Sequence, residues 1–177
     1  MKNKIVICLF IMTLLFITGC SKEKKTNDNK LYDAAIKYVI DSDSNPDKNN
    51  DRYKLFADYT SFEITKDDKY RYAYMWIAFE SYYVKENKIV SSSGSSMAYK
   101  FTFDLNNDKV IKVEHPKDGK YYVSSIKEMF PDDIEDKVIN FEWKDDKLIK
   151  EVRDYYKDLE DKSIYYYTGK ELIKLDK

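Results

Sequence analysis

The residue types that most often carry enzyme chemistry are sparse in this chain. His115 is the only histidine among 177 residues, so a histidine-based triad would depend on this one side chain and a serine or cysteine partner. No second histidine exists for a zinc site. His115 stands before a proline at the end of a predicted strand, where an exposed or structural role is more common. We therefore predict no catalytic residue, no metal centre and no cofactor.

Two acidic segments have the composition of cation sites. Residues 104–108 begin like a calcium loop, which would need glycine at its sixth position and glutamate at its twelfth. Those positions hold Lys109 and His115, so a hairpin turn is the better interpretation. The acids at 132, 133, 135 and 136 stand where a helix is predicted to begin, and carboxylates there satisfy free backbone N–H groups and the helix dipole. We predict that Asp132 caps this helix and that Glu135 completes a capping box.

The N-terminal segment has the pattern of an export signal that ends at a cysteine. Two lysines precede an uncharged apolar run over 5–17, which is shorter than the roughly 20 residues of a membrane-spanning helix. The run leads into Ile-Thr-Gly-Cys, which resembles the bacterial lipobox, where the chain is cut before a lipidated cysteine. The alternatives are a short anchor or an ordinary signal peptide. We predict a lipoprotein signal peptide over 1–19 and lipidation of Cys20.

Lipidation of Cys20 would hold the mature chain on the extracytoplasmic face of the plasma membrane, because several acyl chains anchor stably. The other cysteine, Cys8, leaves with the signal, so the mature domain has neither thiol nor disulfide. Removing 1–19 removes two lysines and no acid, and leaves 29 basic and 32 acidic residues. This balance does not favour nucleic-acid binding. The abundance of Lys, Asn, Asp, Tyr and Ile is typical of an AT-rich, Gram-positive genome.

Seventeen tyrosines offer a different kind of chemistry. Tyrosine buries a large ring while its hydroxyl stays wet, and it is enriched at binding surfaces. The alternative is that an AT-rich genome uses tyrosine as its large core residue, and the sequence leaves both interpretations open. The predicted ligand surface consists of Tyr70, Tyr72, Tyr74, Trp76 and Tyr82 on one strand face, together with Tyr121 and Tyr122.

Helices are predicted on both sides of the strands that carry these tyrosines. Residues 20–30 are almost entirely polar and predict a flexible tether. The apolar spacing over 31–40 predicts a helix, which ends in a cluster of turn formers before Pro46. Further helices are predicted after residue 124, and Gly169 between two apolar runs suggests a closing hairpin over 163–175.

The strands themselves are predicted from a period of two that begins at Phe62. The longest strand spans 70–84, carries apolar residues on both faces, and is long enough to contain a bulge. Residues 91–96, which surround Gly94, are predicted as a loop or a bulged edge. Two more strands follow, up to residue 114.

These elements predict an α+β fold in which an N-terminal helix packs on a curved antiparallel sheet, followed by C-terminal helices. A cystatin-like or NTF2-like cone is the nearest architecture. The predicted divisions are the signal at 1–19, the tether at 20–30, a helix-plus-sheet domain at 31–130, and a helical C-terminal extension at 131–177.

Five short segments between Tyr70 and Pro131 agree in order and spacing with a known family. They are Tyr-Tyr-Val at 82–84, Ser-Gly-Ser-Ser at 93–96, Phe-Thr-Phe at 101–103, Lys-Asp-Gly-Lys-Tyr-Tyr at 117–122 and Ser-Ile-Lys-Glu-Met-Phe-Pro at 125–131. This stretch resembles a domain of small clostridial lipoproteins that is also appended to membrane metallopeptidases of the penicillin-sensing receptor type. The resemblance implies an extracytoplasmic accessory or sensory domain and carries over no catalytic residues. The chain has no His-Glu-x-x-His motif.

Three functions are consistent with these patterns. The leading one is a non-enzymatic binding or sensing module for a peptide, a cell-wall fragment or a neighbouring membrane protein. The second is an inhibitor of an envelope protease or hydrolase, with 91–96 as its projecting loop. The third is an enzyme that uses Glu63 or Glu80 inside a cone-shaped pocket, which would require a deep pocket and a carboxylate of raised pKa.

Overall fold

A computed structural model of the chain describes residues 20–42 and 52–175, with side chains described from residue 28 onward. The predicted signal peptide at 1–19 lies outside the described residues. The elements are α1 (Cys20–Ser42), β1 (Lys54–Lys66), β2 (Tyr70–Lys85), β3 (Lys88–Asp104), β4 (Val110–Glu114), a 3₁₀ turn (Gly119–Tyr121), α2 (Tyr122–Met129), α3 (Asp132–Ile139), α4 (Asp146–Tyr155), β5 (Ile164–Tyr167) and β6 (Leu172–Leu175). The mixed α+β class with C-terminal helices is confirmed, and the finer assignment to a cystatin-like or NTF2-like cone stays a prediction.

The strands form one curved, open, six-stranded sheet in the order β1-β2-β3-β5-β6, with β4 also paired to β3. The first three strands are an antiparallel meander. Its first turn is closed by Asp67, whose Oδ1 accepts hydrogen bonds of 2.8 Å from the backbone N–H groups of Lys69 and Tyr70. Its second turn places Glu86 and Asn87 at positive φ, the conformation of a type I′ hairpin that matches the twist of the strands.

The two ends of β3 receive different strands along the edge that faces away from β2. The C-terminal end pairs antiparallel with β4 at residues 100–103. The N-terminal end pairs in parallel with β5 at Ile89 to Ser91, and β5 forms an antiparallel hairpin with β6. The predicted closing hairpin is therefore confirmed, with Gly169 at φ 90° in its turn. It joins the last part of the chain to the same sheet as the first part.

The two faces of the central sheet belong to different buried clusters. Ala73, Met75 and Ile77 of β2 share a cluster with Leu31, Tyr32, Ala35 and Val39 of α1, and the ring centroids of Tyr32 and Tyr59 lie 5.5 Å apart. The alternate residues Tyr74 and Tyr82 belong to clusters formed with α2, α3 and α4. Apolar residues on both faces of β2 thus have partners on both sides, as expected for a strand at the centre of a layered domain.

Helix α1 begins at Cys20, within the range for which the sequence predicted a flexible tether. The lysines and glutamate near its start have good helix propensity, so they can continue a helix whose later turns are held by the buried cluster. Among the residues described by the structure, no helix is long and apolar enough to cross a membrane.

The prediction of a loop at 91–96 was wrong, whereas the bulge in this region is confirmed. These residues lie inside β3, and the register with β2 shifts by one residue between Glu80 and Tyr82. Gly94 fits here because an added Cβ would lie 2.7 Å from the carbonyl oxygen of Phe79. Serine and glycine are typical of loops, but pairing with β2 on both sides of the bulge overrides this preference.

The capping box predicted at the start of α3 was also wrong. The residue before the helix is Pro131, and no side chain caps it. Asp132 is instead the first helical residue, and the first turn contains Asp132, Asp133 and Glu135. These acids are therefore placed to interact favourably with the helix dipole without closing a capping box.

Candidate functional site

The central part of the predicted tyrosine surface lies under the C-terminal helices. Tyr74 is 5% exposed, and its ring centroid lies 5.4 Å from that of Phe130. Trp76 is half-buried, and its ring lies 5.0 Å from Phe141. Tyr82 is fully buried and packs edge-on against Phe56 at 5.8 Å. The structure brings these rings to one face of β2, and there they form part of the core.

The remaining predicted tyrosines lie at the margins of this face. Tyr70 and Tyr72 are half-buried with ring centroids 6.4 Å apart, and the hydroxyl of Tyr72 donates a 2.6 Å hydrogen bond to Asp67. That bond raises the pKa of Tyr72 to about 12. Tyr122 packs against the cluster under α2 and α3. Tyr121 is 54% exposed, so the pair 121–122 is split between surface and core.

A pocket opens on this face of β2, where the C-terminal helices do not cover it completely. It has a volume of about 410 Å³ and lies between the centre of the β2–β3 ladder and the start of α4. The residues that line it are Ala78, Phe79, Glu80, Gly94, Ser95, Ser96, Trp143, Asp145 and Leu148. We call this the acidic pocket, because the lining residues that the structure describes include two carboxylates and no lysine, arginine or histidine.

Glu80 is held in place from two sides. The hydroxyl of Tyr82 donates a 2.6 Å hydrogen bond to Oε2, and the hydroxyl of Ser91 donates to Oε1. Burial, and then this hydrogen bond to Glu80, raise the pKa of Tyr82 above its ordinary value, so this phenol remains a donor. The two hydroxyl groups therefore hold the carboxylate of Glu80 at the wall of the pocket.

The second acid comes from a different part of the chain. Asp145 is the residue immediately before α4, and its side chain does not cap the helix. Trp143, two residues earlier, supplies an indole wall whose ring lies 6.4 Å from Phe141. On the strand side, Ser96 accepts a 2.7 Å hydrogen bond from the indole N–H of Trp76. The pocket thus combines two acids, one indole and serine hydroxyls from β2, β3 and the α3–α4 connection.

The other candidate sites have structural explanations. Asp104 and Asn107 accept backbone hydrogen bonds of 2.8 and 2.9 Å within the β3–β4 turn, which confirms the hairpin interpretation. His115 is exposed, with Nδ1 3.1 Å from the carbonyl oxygen of Pro116. Within the ranges that the structure describes, no group of three or more His, Cys, Asp or Glu could hold a metal ion. Glu63 has one buried oxygen without a hydrogen-bond partner, and the acidic pocket does not include it.

Sequence reasoning identified only part of the acidic pocket. Glu80 was predicted inside a cone, but Trp143 and Asp145 were not singled out. They follow a short helix in a segment without clear periodicity, and only the path of the chain brings them to the β2–β3 ladder. The one local signal was Trp143 itself, the second of the two tryptophans in the chain.

No family model matches this chain, and no curated protein or solved structure resembles it at a significant level.

Proposed function

We propose that this protein is an exported, lipid-anchored binding module without enzymatic activity, and that its acidic pocket holds a cationic group of a ligand. The observation that carries the proposal is the convergence of Glu80, Asp145 and Trp143 on one pocket. Carboxylates attract an ammonium or guanidinium group, and an indole face adds cation–π attraction.

The proposed location follows from Cys20. Lipid on this residue would keep the domain at the outer face of the plasma membrane, where peptides, amine-bearing cell-wall fragments and neighbouring membrane proteins are the available partners. Membership in the clostridial lipoprotein family is part of the same proposal and is supported by the segments at 117–122 and 125–131. The inhibitor hypothesis depended on a projecting loop at 91–96, but these residues lie inside β3.

The hydrogen bonds of Glu80 favour binding over acid–base catalysis. Both of its oxygens already accept a hydroxyl proton, so the carboxylate is oriented as a fixed acceptor. Two such acceptors in one pocket can share a cation with three donors, as an ammonium group has. Tyr82 and Ser91, whose hydroxyl groups hold Glu80 in place, would then be positioning residues.

The pocket can be tested with the full chain, expressed in a bacterium that exports and lipidates it and purified in detergent. The probe is Nα-acetyl-lysine amide, and its neutral control is the norleucine analogue. Calorimetry is expected to show weak binding of the lysine probe, reduced about tenfold by Glu80→Gln or Asp145→Asn, since one lost charge-assisted hydrogen bond is worth about 1.5 kcal/mol.

Asp146→Asn is the matched control, because Asp146 is the adjacent acid and does not line the pocket. Equal binding of the lysine and norleucine probes, or no binding of either, would overturn the assignment of the pocket to cations.

The cellular part of the proposal has a separate test. The tagged chain is used to capture partners from intact cells, next to a Cys20→Ala variant that cannot be lipidated. Palmitate labelling is expected for the first chain and not for the second, and an envelope protein or wall fragment should be captured with the lipidated chain alone. If both chains capture the same material, the anchor does not direct binding.

A further inference from the structure

The acidic pocket has walls from two separate parts of the chain. One wall is formed by β2 and β3, through residues 78–80 and 94–96. The other is formed by Trp143, Asp145 and Leu148, which lie in the α3–α4 connection and at the start of α4. The shape of the pocket therefore depends on where the first turn of α4 lies relative to the sheet.

A polar contact joins this turn to the sheet beside the pocket. Lys147, the second residue of α4, forms an ion pair and a hydrogen bond with Asp58 of β1. Asp58 lies directly opposite Ala78 in the β1–β2 ladder, so the two side chains share a face of the sheet, with Cβ atoms about 5 Å apart. Ala78 lines the pocket, and so does Leu148, the neighbour of Lys147. The ion pair thus adjoins both walls, although neither of its residues lines the pocket.

The ion pair differs in kind from the other contacts of α4 with the sheet. Leu148, Ile149 and Val152 belong to a buried cluster with residues of the sheet, but apolar packing is non-directional. The carboxylate of Asp58 is a fixed point, because its side chain is only 6% exposed and β1 is paired along its length with β2. A charge-assisted hydrogen bond to such a point is directional. The pair therefore specifies where the first turn of α4 lies along β1.

The residues before α4 depend on this position. The connection over 140–145 contains no helix or strand. The backbone N–H of Ile149 donates a 2.8 Å hydrogen bond to the carbonyl oxygen of Asp145, so Asp145 is tied to the first turn that carries Lys147. Trp143 lies two residues before Asp145 in the same connection. A displacement of the turn would therefore displace the second wall of the pocket.

We infer that the Asp58–Lys147 pair positions the α4 wall of the acidic pocket and thereby sets the affinity of the pocket for its ligand. The inference rests on the proposed function and assigns two positioning residues to the same site. It predicts an effect opposite in sign to that of charge alone. Loss of a cation beside an acidic pocket would by itself strengthen binding of a cationic probe, whereas displacement of the wall would weaken it.

The test measures binding of Nα-acetyl-lysine amide by calorimetry, using the full lipidated chain in detergent. Lys147→Met is expected to bind the probe about fivefold more weakly, within the range for side chains that act on a site without contacting the ligand. Lys147→Arg keeps a cation that can donate to Asp58 and should bind like the wild type. Lys150→Met removes the same charge from an exposed position of α4 that does not line the pocket, so its binding should be unchanged or slightly tighter.

A second measurement does not depend on any ligand. In a Trp76→Phe background, Trp143 is the only tryptophan of the chain, so its fluorescence reports on the α4 wall. Quenching by acrylamide is expected to rise for Lys147→Met and to stay the same for Lys147→Arg and Lys150→Met, each under conditions in which circular dichroism shows the variant to be folded. The double variant Asp58→Asn/Lys147→Met leaves neither charge without its partner and should show the same rise, so it replaces Lys147→Met if that variant does not fold.

The outcomes separate this inference from the proposed function. If the wild type binds the probe and Lys147→Met binds it equally or more tightly, or if Trp143 is quenched equally in all variants, the inference is overturned and the cation pocket stands. If the wild type binds no probe, the proposed function fails, and quenching of Trp143 alone decides whether the pair positions the wall.

Discussion

Replacing Lys147 tests how α4 is attached to β1. Its ammonium group forms an ion pair and hydrogen bond with Asp58, a pair that joins residues 89 positions apart. The side chain of Asp58 is 6% exposed, whereas that of Lys147 is 64% exposed. Lys147→Met keeps an unbranched aliphatic side chain and removes the charge, so the buried carboxylate of Asp58 loses its cation.

The expected cost follows from this unequal exposure. Leaving a buried polar group without its partner costs about 1–3 kcal/mol, and breaking a fully buried ion pair costs about 3–5 kcal/mol. Because water reaches Lys147, we expect a loss of about 2 kcal/mol in the free energy of unfolding for Lys147→Met. That is a large part of the about 5–15 kcal/mol typical of a domain.

Urea denaturation followed by circular dichroism measures this loss. Lys150→Met, an exposed lysine on the same helix, is the matched control and should change stability by less than about 0.5 kcal/mol. The double variant with Asp58→Asn should be less destabilised than the two single changes together, since the residues are in contact. Equal stability of the Lys147→Met and Lys150→Met variants would refute the reasoning.

The pair also has a pH dependence of known sign. The hydrogen bond to Asp58 raises the pKa of Lys147 above its ordinary value of 10.5. A raised pKa in the folded state means that the stabilisation is complete below the unfolded pKa and is lost as the pH rises through the folded one. The difference between wild type and Lys147→Met should therefore be constant from pH 7 to 9 and shrink above about pH 10.5.

Three more predictions concern other parts of the fold. Gly94→Ala should cost about 1–3 kcal/mol in urea denaturation, because its Cβ would meet the carbonyl oxygen of Phe79; unchanged stability would contradict the close approach. The pKa values of Tyr72 and Tyr156 are both raised to about 12, the first by its hydrogen bond to Asp67 and the second by burial. Stability should therefore decline as the pH rises above 10, and absorbance at 295 nm should show tyrosines that ionise near pH 12 in the folded protein rather than near pH 10. A hydrogen bond from Tyr165 lowers the pKa of Asp161 to about 2, so its contribution is present above the ordinary value of about 4 and is lost towards pH 2; Asp161→Asn should flatten the acid side of the stability profile, and an unaltered slope would rule this out.

The first half of β1 shows why sequence patterns identified some strands and not others. The prediction began at Phe62, but β1 begins at Lys54. Phe56 and Asp58 are both buried positions of this strand, and an aspartate at a buried position breaks the apolar alternation. Its partner, Lys147, lies on α4, 89 positions later in the chain. No residue near Asp58 in the sequence therefore indicates that this aspartate is buried.

Local chemistry did suffice for β2, for the second half of β3 and for the hairpin turns. The alternation over 70–84 and 99–103 is a property of neighbouring residues, and the turn at Asp67 and the positive φ of Gly169 depend on the residues within each turn. Each of these features depends on residues only a few positions apart, which is the range over which turn hydrogen bonds and side-chain alternation act. The α+β class could therefore be predicted from the sequence.

By itself, the sequence determined the α+β class, the long central strand and the supply of tyrosines, and it motivates the prediction of lipid on Cys20. The tertiary structure decided that Tyr74 and Tyr82 are core rather than surface, because α2, α3 and α4 fold back over their side of the sheet. It also brought Asp145 and Trp143 to Glu80, which no local pattern connects. The physical reason is that alternation places a side chain on a face, whereas long-range packing decides whether that face meets water, a helix or a ligand.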